Sequence, residues 1–164
     1  RYGNVIGSRG SVIPFFSELI RQGHDTLPVT DDRMTRFWIT LEKGVKFVLS
    51  CLESMVGAEI FVPKIPSMRI IDVARYMDPR CKIEVVGIRP GEKLHETMIS
   101  VDDARYTFDL GDRYVILPAE FKVGQYQSLL SDSSQVPNAF SYSSDTNNQW
   151  LNESDFQELT AGQF

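Results

Sequence analysis

Residues 1 to 98 alternate between short apolar segments and stretches whose apolar residues recur at helical spacing, which restricts the chain to an α/β architecture. Tyr2 to Ile6 reads as a strand end entering the turn Gly7-Ser8-Arg9-Gly10, followed by a helix that carries Val12, Ile13, Phe16, Leu19 and Ile20. Leu27 to Thr30 is a short extended piece. Thr40 can cap a helix with Leu41, Val45, Val48, Leu49 and Leu52 on one broad face, stopping near Gly57. Glu59 to Pro63 is an apolar strand closed by proline, as expected in a parallel sheet. Ser67 can cap a helix carrying Ile70, Ile71, Val73, Ala74 and Met77. Lys82 to Ile88 reads as a further strand and Lys93 to Met98 as a short helix. Crossovers between such units are right-handed.

The texture changes after residue 99. Arg105 to Asp109 and Tyr114 to Leu117 flank the turn Leu110-Gly111-Asp112 and predict a hairpin. Residues 123 to 149 are rich in Ser, Gln, Asn and Asp with aromatic residues spaced through them, and predict an irregular segment that packs by its rings. Asn152 can cap a last helix containing Phe156 and Leu159. The composition, 42% hydrophobic and 24% charged over 164 residues, suits one domain or two small lobes.

No apolar run approaches the eighteen or so residues of a membrane span, and no signal peptide opens the chain, so a membrane role is not expected. The start at Arg1, within an apparent strand, reads as truncation. Cys51 and Cys81 stand outside any Cys-x-x-Cys or Cys/His cluster and are expected to be reduced, as in a cytoplasmic protein. The net charge of -5 argues against a nucleic-acid partner. It is unevenly spread: residues 1 to 93 hold 14 Lys/Arg against 11 Asp/Glu, and residues 94 to 164 hold 3 against 11.

Three motifs in the basic part could carry chemistry. In Asn4 to Ser11, glycines allow positive φ and the following helix offers its positive end, so a phosphate could sit there; a plain strand-to-helix turn fits the spacing equally well. Asp31 to Trp38 places Arg33 and Arg36 three residues apart beside two aromatics, a pattern for holding phosphate oxygens, with internal Asp–Arg pairs as the bland alternative. In Gly87 to Glu96, Pro90 and Gly91 fix a tight turn that brings Arg89 and Glu92 together, where one could hold a phosphate and the other accept hydroxyl hydrogen bonds. His95 and Glu96 do not face one another on a helix, so His95 takes a structural reading and no metal site follows.

The strings Arg1 to Val12, Asp32 to Ile39, Phe61 to Ser67 and Arg89 to Glu96, in this order and spacing, resemble the inverting UDP-N-acetylglucosamine 4,6-dehydratases of the extended short-chain dehydrogenase/reductase family. The resemblance is strong from residue 1 to about 118 and weaker at Phe140 to Asp145 and Asn148 to Leu151. It implies the C-terminal part of an NADP-binding Rossmann fold with a smaller α/β substrate-binding domain. Residues 1–9 and 38–62 would be the remnant of the Rossmann domain, and 10–37 and 63–164 the nucleotide-sugar-binding domain. The family oxidises C4 of the sugar, eliminates water across C5 and C6, and returns the hydride to C6 with inversion at C5. The product is a 4-keto-6-deoxy sugar nucleotide for surface glycan or pseudaminic acid synthesis.

By the same resemblance, Val5, Ile6, Gly7, Ser8 and Arg9 would run along the NADP cofactor, and Asn4, Arg36, Arg89 and Glu92 would bind UDP-N-acetylglucosamine or a related UDP-sugar. The family's Gly-rich dinucleotide loop and its Tyr-x-x-x-Lys pair have no counterpart here, since no lysine stands four residues after any tyrosine. No catalytic residue is therefore expected in the chain, which should be inactive alone, and the full-length protein should be a homo-oligomer. Two other readings are a related capsule-synthesis epimerase or dehydratase, and a non-catalytic nucleotide-sugar-binding module.

Overall fold

The computed structural model describes residues 1–161. In chain order the elements are β1 (Asn4–Val5), α1 (Val12–Arg21), β2 (Thr26–Val29), β3 (Thr35–Ile39), α2 (Leu41–Ser54), β4 (Ile60–Pro63), β5 (Ser67–Arg69), α3 (Ile70–Met77) and β6 (Lys82–Val85). There follow β7 (Thr97–Ile99), α4 (Val101–Ala104), β8 (Thr107–Asp109), β9 (Arg113–Ile116), a 3-10 turn (Val123–Tyr126), β10 (Ser134–Gln135), β11 (Tyr142–Ser143) and α5 (Glu153–Thr160). The chain divides into two compact units. One comprises Arg1–Tyr2, Leu41–Lys64 and Thr97–Ser143; the other comprises Gly3–Thr40, Ile65–Glu96 and the residues from Ser144 onward.

In the unit that begins at Gly3, β1 runs parallel to β3 and β3 antiparallel to β5, with Arg36 opposite Met68. Gly3 permits the close approach of β1, because a Cβ there would lie 2.5 Å from that of Phe37. A second, two-stranded sheet pairs β2 with β6 in parallel. Ile13 and Phe16, three residues apart on α1, share one face and are wholly buried with Leu27, Val29 and Val73. Trp38, Met68, Ile70 and Phe156 complete this core. The hydrophobic periodicity read in α1 and α3 is therefore the packing face of each helix.

In the unit that begins at Arg1, an antiparallel sheet runs β10-β8-β9-β4, and β11 pairs with β7. The predicted hairpin is β8–β9, with Phe108 opposite Val115. Phe61, Val115, Leu117 and Tyr126 form the core, and Phe47 and Cys51 of α2 pack against it. The segment after 123 does pack by its rings: Tyr114 lies 5.2 Å from Phe140 and 5.3 Å from Tyr142, centroid to centroid.

Three local expectations are overturned. Strand β4 pairs antiparallel with β9 at a sheet edge and not within a parallel sheet, because the hairpin β8–β9 supplies its neighbour. Ser67 does not cap α3: it is fully buried in β5, its hydroxyl accepts from Asn147 Nδ2 at 3.0 Å, and the helix starts after Arg69. Residues 93–96 are not helical, because their carbonyls are held elsewhere, Leu94 O by Thr35 N at 3.1 Å and Glu96 O by Ser144 N at 2.8 Å. Among the described residues no helix is long and apolar enough to cross a membrane.

Candidate functional site

All nine residues implicated by the sequence lie in the unit that begins at Gly3. Asn4 is half-buried in β1 with Trp38 as its register partner. Strand alternation puts Asn4, Trp38 and Arg36 on one face of the sheet. Trp38 Nε1 is buried there with no hydrogen-bond partner among the described residues. Beyond Val5, the buried Ile6 donates its amide to Ile39 O at 2.9 Å, and the chain then turns into the exposed Gly7, Ser8 and Arg9. Gly7 and Gly10 have φ of 72° and 78°, which is why this turn carries glycine at both ends. Ser8 N donates to Val5 O and Ser11 N to Ser8 O, and Ser11 then caps α1 by position alone, its hydroxyl donating to Ser8 O at 2.7 Å.

Arg36 is the anchor of the site. Its NH1 donates to Thr35 O at 2.7 Å and Leu94 O at 3.1 Å, and its NH2 donates to Lys93 O at 2.8 Å. Its Nε stands 3.6 Å from a Glu96 carboxylate oxygen. Burial pushes the Arg36 pKa down, while Glu96 and Glu92 push it up. The carbonyl oxygens orient the guanidinium, Glu96 offsets part of its charge, and the result is a fixed, partly desolvated cation.

That cation tethers the loop holding Arg89 and Glu92. Gly87 and Gly91 take φ of 89° and 87°, Glu92 N donates to Arg89 O at 3.0 Å, and the Glu92 carboxylate accepts from Arg89 N at 3.1 Å. Both side chains are exposed. A second tether lies behind the loop. Thr35 Oγ1 is 2.8 Å from His95 Nδ1 and 2.7 Å from Ser144 Oγ, and Ser144 Oγ accepts from Glu96 N at 2.9 Å. Thr35 and Ser144 were not singled out in the sequence. They stand 109 residues apart, so no local pattern could pair them. His95 has the structural contact expected of it.

Arg33 does not join Arg36. It forms a two-pronged pair with Asp31 at 2.9 and 2.8 Å on the surface, and this pair holds the Asp31 carboxyl well below the usual carboxylate range. No group of three or more metal-ligating side chains occurs among the described residues.

Residues 1–118 match a family of polysaccharide biosynthesis proteins. Over 97% of its length the chain is 52% identical to a UDP-N-acetylglucosamine 4,6-dehydratase (inverting) from Campylobacter jejuni, of which it spans 49%. Over 71% of its length it is 42% identical to a UDP-glucose 4-epimerase from Rickettsia canadensis, of which it spans 35%. Its backbone superposes on the X-ray structure of Pen from Bacillus thuringiensis with a TM-score of 0.80 at 30% identity, covering 99% of this chain and 49% of that one. The chain thus spans about half the length of the dehydratase it matches. Its α/β fold is that of the epimerase/dehydratase type, and the chain belongs to the polysaccharide biosynthesis protein family, where it is similar over nearly its whole length to inverting UDP-N-acetylglucosamine 4,6-dehydratases.

Proposed function

We propose that the chain is the nucleotide-sugar-gripping half of a UDP-N-acetylglucosamine 4,6-dehydratase. The observation that carries this reading is Arg36, a cation held by the Thr35, Lys93 and Leu94 carbonyls on the sheet face it shares with Asn4. A diphosphate lying against Arg36 gains charge-assisted hydrogen bonds in a partly desolvated setting. Arg89, on the tethered loop, closes on the second phosphate, and Glu92 accepts from a ribose or sugar hydroxyl. Asn4 offers an amide to the sugar.

Beyond the strand residue Val5 and the buried Ile6, Gly7 to Arg9 form an exposed edge that carries the cation of Arg9 and leads to the N-terminal end of α1, and this turn suits one side of an anionic dinucleotide. When bound, NADP would supply the hydride acceptor and donor. The residues of this chain would orient the sugar ring, hold its diphosphate and flank the cofactor, and the proton-transfer groups would come from the rest of the full-length protein. On this reading the product feeds surface glycan or pseudaminic acid synthesis, and residues 1–9 and 38–62 belong to the cofactor domain.

Two measurements test the proposal. The full-length protein containing this chain, given UDP-N-acetylglucosamine, should yield a 4-keto-6-deoxy product with inverted C5 by NMR. The 164-residue chain should bind UDP by calorimetry and produce no keto sugar by itself. A retained C5 configuration would reassign the full-length protein to a different dehydratase, and absence of UDP binding would remove the gripping role.

A further inference from the structure

Strand β6 belongs to a two-stranded parallel sheet and is paired on one side only, with β2. Lys82 N donates to Asp25 O at 2.7 Å and Val86 N to Val29 O at 2.9 Å, so the even-numbered residues of β6 turn their backbone groups toward β2. Alternate residues of a strand bond to the same side. The N–H and C=O of Ile83 and Val85 therefore point outward, without a hydrogen-bond partner among the described residues. Side chains alternate as well. Ile83 packs on the core of its unit, while Lys82 and Glu84 are exposed on the opposite face, and neither makes a side-chain hydrogen bond or ion pair among the described residues. Val85 and Val86 are 55% and 49% exposed. Neither proline nor glycine interrupts Lys82 to Val86, so only the two charges guard this edge against a further strand.

We propose that β6 is a self-pairing edge, which takes the β6 of a second copy of this chain, antiparallel about a two-fold axis at Ile83. Backbone direction and charge select both the occupant and the register. With the axis at Ile83, each Ile83 exchanges its two outward backbone groups with its counterpart, and Val85 N meets the Cys81 carbonyl of the second copy. The same register sets Lys82 opposite the second copy's Glu84 and Glu84 opposite its Lys82, at the non-hydrogen-bonded positions where cross-strand side chains lie closest. An axis at Glu84 would put two glutamates face to face, and an axis at Val85 would set Glu84 opposite Val86 and lose both ion pairs. The charges that deter a foreign strand thus match the reversed copy of their own, as an isologous contact requires. This pairing does not depend on what the sugar site binds.

The test uses the full-length protein that contains this chain, followed by sedimentation velocity over a dilution series at low ionic strength. Lys82→Glu and Glu84→Lys each turn both ion pairs into like-charge pairs, and each should weaken one association step by about tenfold or more. The double variant Lys82→Glu/Glu84→Lys restores opposite charges in the same register and should recover the wild-type association. Val85→Pro removes an outward N–H that β2 does not use and should weaken the same step; should that variant fail to fold by far-UV circular dichroism, the surface charge variants still decide. Single reversals that leave every association step unchanged, or a protein that stays monomeric throughout the series, overturn the proposal. So does a double variant that associates no better than the single ones, since β6 would then meet a different surface. Single reversals that lower the melting temperature without changing association also overturn it, because the edge would then be covered by the same polypeptide. UDP affinity of these variants should match that of the wild type, and Arg89→Ala should leave association intact, so failure of the sugar-site reading is seen separately.

Discussion

Arg36 and Arg89 were equivalent in the sequence, and the structure gives them different work. Arg36 satisfies three backbone carbonyls and has a side chain only 12% exposed, whereas the Arg89 side chain is exposed. Arg36→Ala should therefore lower both UDP affinity and stability, the latter by about 1–3 kcal/mol through unsatisfied carbonyls. Arg89→Ala should lower affinity about 10- to 100-fold, the equivalent of one charge-assisted contact, at unchanged melting temperature. Calorimetry and thermal unfolding of the two variants separate the roles. Arg36→Lys should recover little of either property, since an ammonium cannot reach all three carbonyls in the fork geometry.

Asp78 provides a pH-dependent contribution at the same scale. It accepts from Arg80 N, Nε and NH2 at 2.8–2.9 Å, and these bonds hold its pKa down to about 2. A carboxylate depressed in the folded state contributes its stability in full above the unfolded value of about 3.9 and loses it as pH falls through the folded one. Wild type should thus be more stable than Asp78→Asn at pH 6, and the difference should shrink between about pH 4 and pH 2. Chemical denaturation at several pH values measures it, and a constant difference would assign the effect to shape and not to charge.

Among the elements, the last helix shows how far local signals reach. Asn152 was legible as a cap, and in α5 its side chain accepts from Asp155 N while Asp155 returns a bond to Asn152 N, a full capping box. Asn152→Ala should cost about 1 kcal/mol, read as a shift in the urea midpoint. The misread helices fail for a related reason. Ser67 has the right residue type for a cap, but Asn147 and the backbone of Gln149 and Leu151 claim its groups and keep it in β5. Residues 93–96 have helical composition, yet Arg36, Thr35 and Ser144 bind their backbone and keep it out of a helix. Intrinsic preference is worth tenths of a kcal/mol per residue, and several tertiary hydrogen bonds outweigh it.

Across the whole molecule, burial separates the residues that hold the core from those exposed at the surface. Phe16 is fully buried in the core shared by α1, α3 and α5. Phe16→Ala should cost about 3–5 kcal/mol, a large share of a small domain's stability. Leu41→Ala, at a residue 67% exposed, should stay within about 0.5 kcal/mol in the isolated chain. Equal effects in urea unfolding would mean that α2 is covered in solution.

Periodicity and glycine placement were enough to read the α/β class, helices α1, α3 and α5, the β8–β9 hairpin and the three motifs, because each depends on neighbours within a turn or two of the chain. The motif order also carried the family. The tertiary structure alone decided that Arg36 is locked to the loop of Arg89, that Arg33 belongs to Asp31, that Thr35 and Ser144 brace the site, and that the apolar stripe of α2 faces outward. Those outcomes rest on hydrogen bonds and contacts between distant residues, and no local pattern records which carbonyl a guanidinium will find or which face of an amphipathic helix its own chain will cover.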